Sequence, residues 1–193
     1  MLPTPVSRAA FVNAKATIHP SAPASLALLG TRLPRALPAA VSGERPLWDF
    51  TDGTLANREY AAWLVSETLG WSVVPPTVLR DGPAGHGMVQ LWCEPDPAIE
   101  AVDILPEGAV ADGFLHVLDA VDGEDRPVQL VHEDSEPLRR MAIFDVVVNN
   151  TDRKGGHVLA MTDGRRYGVD HGICFHPDDK LRASVLADPM FTR

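Results

Sequence analysis

The alternation of apolar and polar positions along the chain predicts two helices. Apolar residues recur at helical spacing over residues 55–69, where Thr54 can cap a helix and Gly70 can end it. The same spacing recurs over residues 135–148. Each predicted helix should therefore contribute one apolar face to a core.

Strand patterns lie between the two predicted helices. Residues 72–80 and 87–93 have the composition of strands, and the Gly- and Pro-containing residues 81–86 between them require a turn. Residues 94–134 are acidic and interrupted by prolines. We predict a hinge followed by an irregular linker over these residues, and no internal repeat is evident.

A β-hairpin is predicted after the second helix. Residues 158–161 and 166–169 predict two short strands, and the Asp-Gly pair between them is typical of a tight hairpin turn. The hairpin follows a loop that contains Asp152, and it ends at Asp170. It should therefore bring Asp170 back beside Asp152.

Two carboxylates placed in this way suit phosphoryl transfer. That reaction needs one carboxylate to orient or deprotonate the attacking hydroxyl, and other groups to hold the metal that bridges the phosphates. Asp152 lies in a loop rich in Asn and Gly, with Arg153 and Lys154 directly after it. His157 follows Asp152 by five residues, at the place where this chemistry uses an Asn or a similar ligand.

Several segments resemble the phosphatidylinositol 3-/4-kinase-like superfamily, especially the type II 4-kinases and an actinobacterial group of kinase-like proteins. The catalytic loop of that superfamily is similar to residues 150–153 (NTDR), and its metal-binding segment is similar to residues 169–175 (VDHGICF). Residues 87–92 resemble the strand that leads into the adenine-binding hinge. Residues 57–64 resemble the helix whose Glu pairs with the ATP-binding Lys. The resemblance covers residues 43–182.

The resemblance implies an α+β, protein-kinase-like fold with a truncated N-terminal lobe and a short C-terminal lobe. It implies an ATP-dependent phosphotransferase that uses Mg²⁺ or Mn²⁺ and acts on a lipid, a small molecule or a protein. The implied catalytic-loop residues are Asp152, Arg153 and Lys154, and the implied metal ligands are His157 and Asp170. The implied nucleotide contacts are Glu59, Gln90, Leu91, Trp92 and Cys93.

The chain departs from the superfamily pattern at two places. His157 stands where the lipid kinases have Asn, and imidazole is a poorer ligand for Mg²⁺ than oxygen; the imidazole either alters the metal preference or binds a phosphate as a cation. Residues 38–41 (PAAV) occupy the place of the strand with the ATP-contacting Lys, so Glu59 lacks its expected partner. Losing that lysine should impair activity, which favours the alternative of a non-catalytic pseudokinase that binds nucleotide.

Composition indicates one domain preceded by a leader. All 26 acidic residues lie after Gly43, whereas residues 1–43 are basic and rich in Ala and Pro, which predicts a disordered leader or an incorrectly assigned start. The kinase-like domain then has three parts. Residues 44–93 form a partial N-terminal lobe and hinge, and residues 94–134 form the linker. Residues 135–193 contain the catalytic loop and the metal ligands.

The net charge of −9 argues against a nucleic-acid partner. The chain has two cysteines far apart and no apolar run of transmembrane length, so we expect a cytoplasmic protein without a transmembrane segment.

Alternatives remain open for individual residues. Asp152 can belong to a solvated loop ion pair, Asp170 can bond its own backbone in a turn, and Glu59 can lie on a solvated helix face. Arg153 and Lys154 are predicted to be exposed loop cations, either of which could contact a phosphate. His157, His171 and His176, together with the two carboxylates, form an alternative transition-metal site for hydrolysis, although their spacing matches no standard zinc pattern.

Overall fold

The structure is a computed structural model, and it describes residues 36–40 through their backbone, and 44, 47, 49–50, 55–82, 85–150 and 152–178. Over these residues the chain forms two α-helices and three antiparallel sheets. The predicted α+β class is therefore confirmed, and the kinase-like architecture within that class stays a prediction.

The helices and strands in chain order are β1 (Ala36–Ala40), α1 (Leu55–Thr68), β2 (Thr77–Gly82), β3 (Gly85–Leu91), β4 (Val102–Pro106), β5 (Phe114–Val121), β6 (Pro127–Glu133), α2 (Glu136–Val147), β7 (Val158–Ala160) and β8 (Arg166–Gly168). A short 3₁₀ turn, Gly155–His157, directly precedes β7.

The first sheet has the order β1–β3–β2. β1 pairs antiparallel with β3, from Ala36 opposite Leu91 to Ala40 opposite Gly87. Pro38 is tolerated in β1 because this strand is at the edge of the sheet, where a missing N–H need not break a ladder bond. The prediction of a disordered leader through residue 43 is therefore wrong for β1, whereas residues 1–35 lie outside the described residues.

β2 and β3 confirm the two strands predicted before the acidic region, with shifted ends. β2 begins only at Thr77, because Pro75 and Pro76 cannot donate to a ladder. Its pairing with β3 runs on to Gly82 opposite Gly85. Most of the turn predicted over residues 81–86 is therefore strand.

The α1 helix confirms the prediction, and its C-terminus has a Schellman motif. Gly70 has a φ of 66°, its N–H donates to Glu67 O at 2.9 Å, and Trp71 N–H donates to Ser66 O at 3.0 Å. At the N-terminus, the Glu44 carboxylate accepts from the N–H groups of the first two helical residues, at 3.3 and 3.0 Å. The predicted cap, Thr54, lies outside the described residues.

The second sheet has the order β4–β6–β5 and occupies most of the acidic region. Pro106 ends β4 and Pro127 begins β6, and strand ends are positions where proline is tolerated. The prediction of an irregular linker over residues 94–134 is therefore wrong. Only the connection before β4 and the turns between strands are irregular.

The α2 helix lies at the centre of the core. Ser135 caps it, accepting from Leu138 N–H at 3.4 Å, which confirms the start predicted from the sequence. Leu138, Met141 and Phe144 are fully buried in one cluster with side chains of α1, of β7 and of the segments after α1 and after β8. The short β7–β8 hairpin packs on this helix, so the loop and the hairpin that hold the predicted site are attached to the core.

Candidate functional site

The β7–β8 hairpin places Asp170 next to His157. Val169 N–H donates to His157 O at 3.0 Å, directly before Asp170. The Asp170 carboxylate then lies 3.3 Å from His157 Nε2. Asp170 has a φ of 62°, a left-handed conformation that Asp tolerates better than most residues. The hairpin prediction is confirmed, and it brings the two expected metal ligands together.

The imidazole of His157 is mostly buried, and both predicted carboxylates act on it. Burial lowers the pKa of His157, while the charges of Asp170 and Asp152 raise it without overcoming the effect of burial. His157 is therefore neutral at pH 7, with a ring nitrogen available as an acceptor or metal ligand. Its Nδ1 is buried and has no hydrogen-bond partner among the described residues.

Asp152 lies at the surface of the loop that follows α2. Its backbone N–H donates to Asn150 Oδ1 at 3.1 Å, and its carboxylate pairs with the ammonium group of Lys154. Both side chains are accessible to solvent, as predicted for Lys154. The loop ion pair of Asp152 is thus made with Lys154 and not with the adjacent Arg153.

Arg153 is fully buried, so the prediction of an exposed loop cation is wrong for this residue. Its guanidinium donates to both carboxylate oxygens of Asp145, at 2.8 and 2.9 Å, and to Val169 O at 2.9 Å. Burial disfavours the charged form, but Asp145 outweighs this effect and raises the pKa of Arg153. In this geometry the guanidinium has no surface from which to reach a phosphate.

His171, the residue after Asp170, belongs to the same buried polar network as Arg153 and Asp145. Arg153 Nη2 lies 2.7 Å from His171 Nε2, and because arginine only donates, this nitrogen is the acceptor and Nδ1 carries the proton. Burial, together with Arg153 and His157, lowers the pKa of His171 well below its usual value. His171 is thus neutral and directed into the core, and among the described residues it does not complete a metal-holding group with His157.

Glu59 faces this network from α1. Its Oε2 lies 3.8 Å from His171 Nδ1, and the side chain is buried, so the alternative of a solvated helix face is wrong. Burial, and then the charge of Asp170, raise the pKa of Glu59 to about 8, against the lowering effect of the backbone at His171 and Gly172. Glu59 is therefore mainly protonated at pH 7.

The predicted hinge residues, 90–93, lie at and just beyond the end of β3, and they differ in burial. Gln90 is buried and its side chain donates to Thr77 Oγ1 at 3.0 Å, while Leu91 N–H donates to Pro76 O at 2.8 Å. Trp92 and Cys93 lie beyond the strand and are partly exposed. Of the four predicted hinge residues, only Gln90 is thus buried, whereas Leu91, Trp92 and Cys93 are partly exposed.

Two polar residues of the site were missed by sequence reasoning. Asp145 is fully buried on α2, and Asn150, also buried, donates to Asp145 Oδ1 at 2.8 Å. The periodicity contained a signal, because Asp145 falls on the same helical face as Leu138, Met141 and Val148. An acidic residue on an apolar face requires a buried partner, which is Arg153.

A cavity of about 270 Å³ lies away from these residues, beside the tip of the β7–β8 hairpin. Three of its lining residues are arginines, and each already pairs with a carboxylate: Arg140 with Glu136, Arg165 with Asp163, and Arg166 with Glu133. Among the described residues that line it, every arginine thus has a carboxylate partner, and the cavity adds nothing to the predicted site.

The described part of the chain contains neither a larger metal-binding cluster nor a membrane-spanning helix. No group of three or more His, Cys, Asp or Glu side chains there is arranged to hold a metal ion, so His157 and Asp170 stand as a pair. Neither described helix has both the length and the apolarity that crossing a bilayer requires.

The fold and the site define an α+β protein with one buried polar network around Asp145 and Arg153. The loop carboxylate of Asp152 and the pair of His157 and Asp170 are attached to this network. The chain is similar to Protein Rv2133c of Mycobacterium tuberculosis strain H37Rv, with 53% identity over 163 residues. The match covers 80% of this chain and 59% of that protein, so the chain spans less than two thirds of its relative. No family model and no solved structure matches the chain.

Proposed function

We propose that this chain is a phosphotransferase of the phosphatidylinositol 3-/4-kinase-like group, which transfers phosphate from ATP to an alcohol. The observation that carries the proposal is the position of Asp170, 3.3 Å from His157, with Asp152 close enough to act on the same imidazole. Phosphoryl transfer needs two carboxylates with different roles: one orients the attacking hydroxyl, and the other binds the metal.

Asp152 takes the role of orienting or deprotonating the acceptor hydroxyl. Its carboxylate is accessible to solvent and held in a loop fixed by Asn150. Lys154, paired with Asp152 and itself exposed, can move to a phosphate oxygen and neutralise charge that develops there. The acceptor is a lipid, a small molecule or a protein.

Asp170 and His157 take the role of metal ligands. Asp170 offers half-exposed carboxylate oxygens, the donors that Mg²⁺ prefers, and a neutral His157 adds a nitrogen that Mn²⁺ accepts more readily. A bound divalent cation supplies neutralisation of the phosphate charge. Trp92 and Cys93, beyond the end of β3, take the role of adenine contacts.

A specific observation favours a second candidate, a pseudokinase that binds nucleotide without turnover. The strand β1, at the place where the resemblance expects the ATP-contacting lysine, has the sequence ALPAA. Glu59 is buried and mainly neutral, so it needs no lysine as counter-charge. Both features fit a site that has lost part of its phosphate binding.

Calorimetric titration with ATP tests the proposal, in the presence of Mg²⁺, then Mn²⁺, and then without metal. Asp170→Asn is the informative variant, because Asn is nearly isosteric and also tolerates the left-handed backbone. Asp163→Asn is the matched control, since Asp163 lies on the same hairpin and pairs with Arg165 at the surface.

We expect metal-dependent binding that Asp170→Asn weakens by at least about 10-fold, since a lost metal ligand costs more than 1.4 kcal/mol. Asp163→Asn should bind as the unchanged chain does. Binding without turnover of any ATP would favour the pseudokinase. A folded chain that binds ATP with neither metal would refute both candidates.

A further inference from the structure

We infer that Asp145, on the buried face of α2, is the positioning residue that holds Asp152 and Asp170 in one fixed arrangement. Its carboxylate is connected to both through two separate chains of hydrogen bonds, one along the loop and one to the hairpin. The importance of Asp145 for catalysis rests on the proposed function, whereas the positioning of the two carboxylates rests on the contacts alone.

The first connection runs through Asn150. Asp145 Oδ1 accepts from Asn150 Nδ2 at 2.8 Å, and Asn150 Oδ1 in turn accepts from the backbone N–H of Asp152 at 3.1 Å. The Asn150 backbone N–H also donates to Asp145 O at 2.9 Å. Both ends of Asn150 are thereby fixed, and the backbone at Asp152 is held relative to α2.

The second connection runs through Arg153 to both neighbours of Asp170. The guanidinium makes a bidentate pair with Asp145 and donates to Val169 O and His171 Nε2, at 2.9 and 2.7 Å. Val169 and His171 directly flank Asp170 in the chain. The planar fork of arginine fixes direction as well as distance, so the backbone at Asp170 is held relative to α2.

The surroundings of the pair leave it little freedom. The Asp145 and Arg153 side chains are both completely inaccessible to solvent. A Cβ on Gly168 would lie 3.0 Å from Arg153 Nη2, so the missing side chain at Gly168 is what leaves room for the guanidinium. Since Asp145 itself never reaches the surface, it acts on a substrate only through the two carboxylates it positions.

Three variants separate the two connections. Asn150→Ala breaks only the connection to Asp152, Arg153→Lys keeps the charge but loses the fork to Val169 and His171, and Asp145→Asn weakens both. Asp145→Asn leaves a buried guanidinium without its counter-charge and risks unfolding the chain, in which case the other two variants decide.

The matched controls come from the Arg166–Glu133 pair. It has the same bidentate geometry, at 2.8 and 2.9 Å, and is also largely buried. Its other side-chain hydrogen bonds among the described residues go to Ser135, Gly164 and Arg165, and not to Asp152 or residues 169–171. Arg166→Lys and Glu133→Gln therefore reproduce the loss of a buried ion pair without the proposed positioning.

The first readout is backbone amide hydrogen exchange, which needs no ligand. We expect Asn150→Ala to speed exchange at Asp152 by about 10-fold or more, as loss of a buried hydrogen bond predicts. Arg153→Lys should do the same at Val169 and at Cys174, whose N–H donates to His171 O at 3.2 Å. Asp145→Asn should do so at all three amides. The controls should change these amides by less than about 2-fold.

Positioning by Asp145 is overturned if Asn150→Ala and Arg153→Lys change these amides no more than the controls do. It is also overturned if each variant speeds exchange uniformly over the whole chain, because that result indicates a general loss of stability.

The second readout is the affinity for ATP as a function of Mg²⁺ concentration, on variants that remain folded. Arg153→Lys should weaken the metal-dependent part of binding by about 10-fold and leave metal-free binding unchanged, whereas Arg166→Lys should alter neither. If the unchanged chain binds no ATP while the exchange pattern holds, the proposed function fails and the positioning by Asp145 stands. If ATP binds and the metal dependence is the same in all variants, positioning by Asp145 does not matter for metal-dependent ATP binding.

Discussion

At the scale of single residues, Glu59 shows how burial changes the chemistry of a carboxyl group. The pKa of Glu59 rises to about 8 through burial and the charge of Asp170, which outweigh the lowering effects of the backbone at His171 and of Arg153. In the unfolded chain this group titrates near 4.5. The folded state therefore binds a proton between these two pH values that the unfolded state releases.

The first prediction follows from the sign of that difference. Because the folded pKa is raised, the stability linked to Glu59 is fully present below about pH 4.5 and is lost as the pH rises to about 8. Glu59→Gln removes the ionisation, so it should become increasingly stabilising relative to the unchanged chain, by a few kcal/mol at pH 9 compared with pH 5. Urea unfolding of both chains at pH 5, 7 and 9 measures this difference.

Glu67→Gln is the control for this prediction, since Glu67 lies on the same helix but is exposed. Comparison of the two variants separates the effect of burial at Glu59 from that of replacing an exposed Glu by Gln. A Glu59→Gln effect that is the same at the three pH values would show that Glu59 is ionised in the folded chain.

Sequence reasoning at this scale found the contact between His157 and Asp170 but not the burial of Arg153. The spacing of His157 and Asp170 around a hairpin was sufficient to predict that these two residues lie together, because a tight turn leaves few alternatives. The placement of Asp152 beside Asp170 stays a prediction. The same reasoning placed Arg153 in solvent, since a loop cation next to an Asp is usually exposed. Its burial depends on Asp145, whose distance from Arg153 only the folded helix and loop determine.

At the scale of secondary-structure elements, α2 connects the core to the site. Phe144 is completely buried in the core cluster and makes an edge-on ring contact with His171 at a centroid distance of 5.6 Å. The next residue, Asp145, begins the polar network. The apolar and polar parts of the buried face of α2 therefore support the same hairpin.

The second prediction compares two adjacent positions of α2. Phe144→Ala should lower the free energy of unfolding by about 3–5 kcal/mol, because it leaves a cavity in a packed core. Ile143→Ala, at a position that is 45% exposed, should cost less than about 1 kcal/mol. Denaturant unfolding of the two variants checks the difference, and similar costs at both positions would contradict the packing described for α2.

The third prediction concerns the close approach of β8 to the network. Gly168→Ala should destabilise the chain by about 1–3 kcal/mol, because the added methyl group displaces the Arg153 guanidinium from its carboxylate and carbonyl acceptors. Gly123→Ala is the control, since a Cβ at Gly123 meets nothing within 4 Å, and it should change stability by less than about 1 kcal/mol. Thermal unfolding at pH 7 measures both, and equal effects would mean that β8 has room to move away from Arg153.

The second sheet shows why an element can be missed in a sequence. Its strands expose many of their side chains, and β5 is exposed over most of its second half, so the period-two alternation that marks a half-buried strand is weak there. Pro106 and Pro127 were interpreted as interruptions, whereas they stand at strand ends. The helices and the β7–β8 hairpin were predictable because capping and turn residues mark their limits.

At the scale of the whole molecule, β1 shows that the first sheet begins before the boundary that composition indicates. Composition placed that boundary at residue 43, because acidic residues begin only after it. Pairing of β1 with residues 87–91 of β3 instead places Ala36–Ala40 inside the first sheet. Composition could not show that β1 is a strand, because an edge strand that pairs with a single neighbour needs neither charges nor a distinctive apolar pattern.

The fourth prediction tests this boundary with two shortened chains. A chain without residues 1–40 loses β1 and leaves one edge of β3 unpaired, whereas a chain without residues 1–35 retains β1. We expect the shorter chain to unfold at lower denaturant concentration, with a loss of about 1–3 kcal/mol. We also expect it to associate with increasing concentration, because an unpaired central strand offers its N–H and C=O groups to another chain.

Denaturant titration gives the first difference, and light scattering over a range of protein concentrations gives the second. The chain without residues 1–35 is the matched control, since the two chains differ only by β1. Equal unfolding midpoints together with equal molecular masses would show that β1 contributes nothing to the sheet. The place at which the resemblance expects a lysine-bearing strand would then contain no stable strand, which would weaken the kinase-like interpretation of the first sheet.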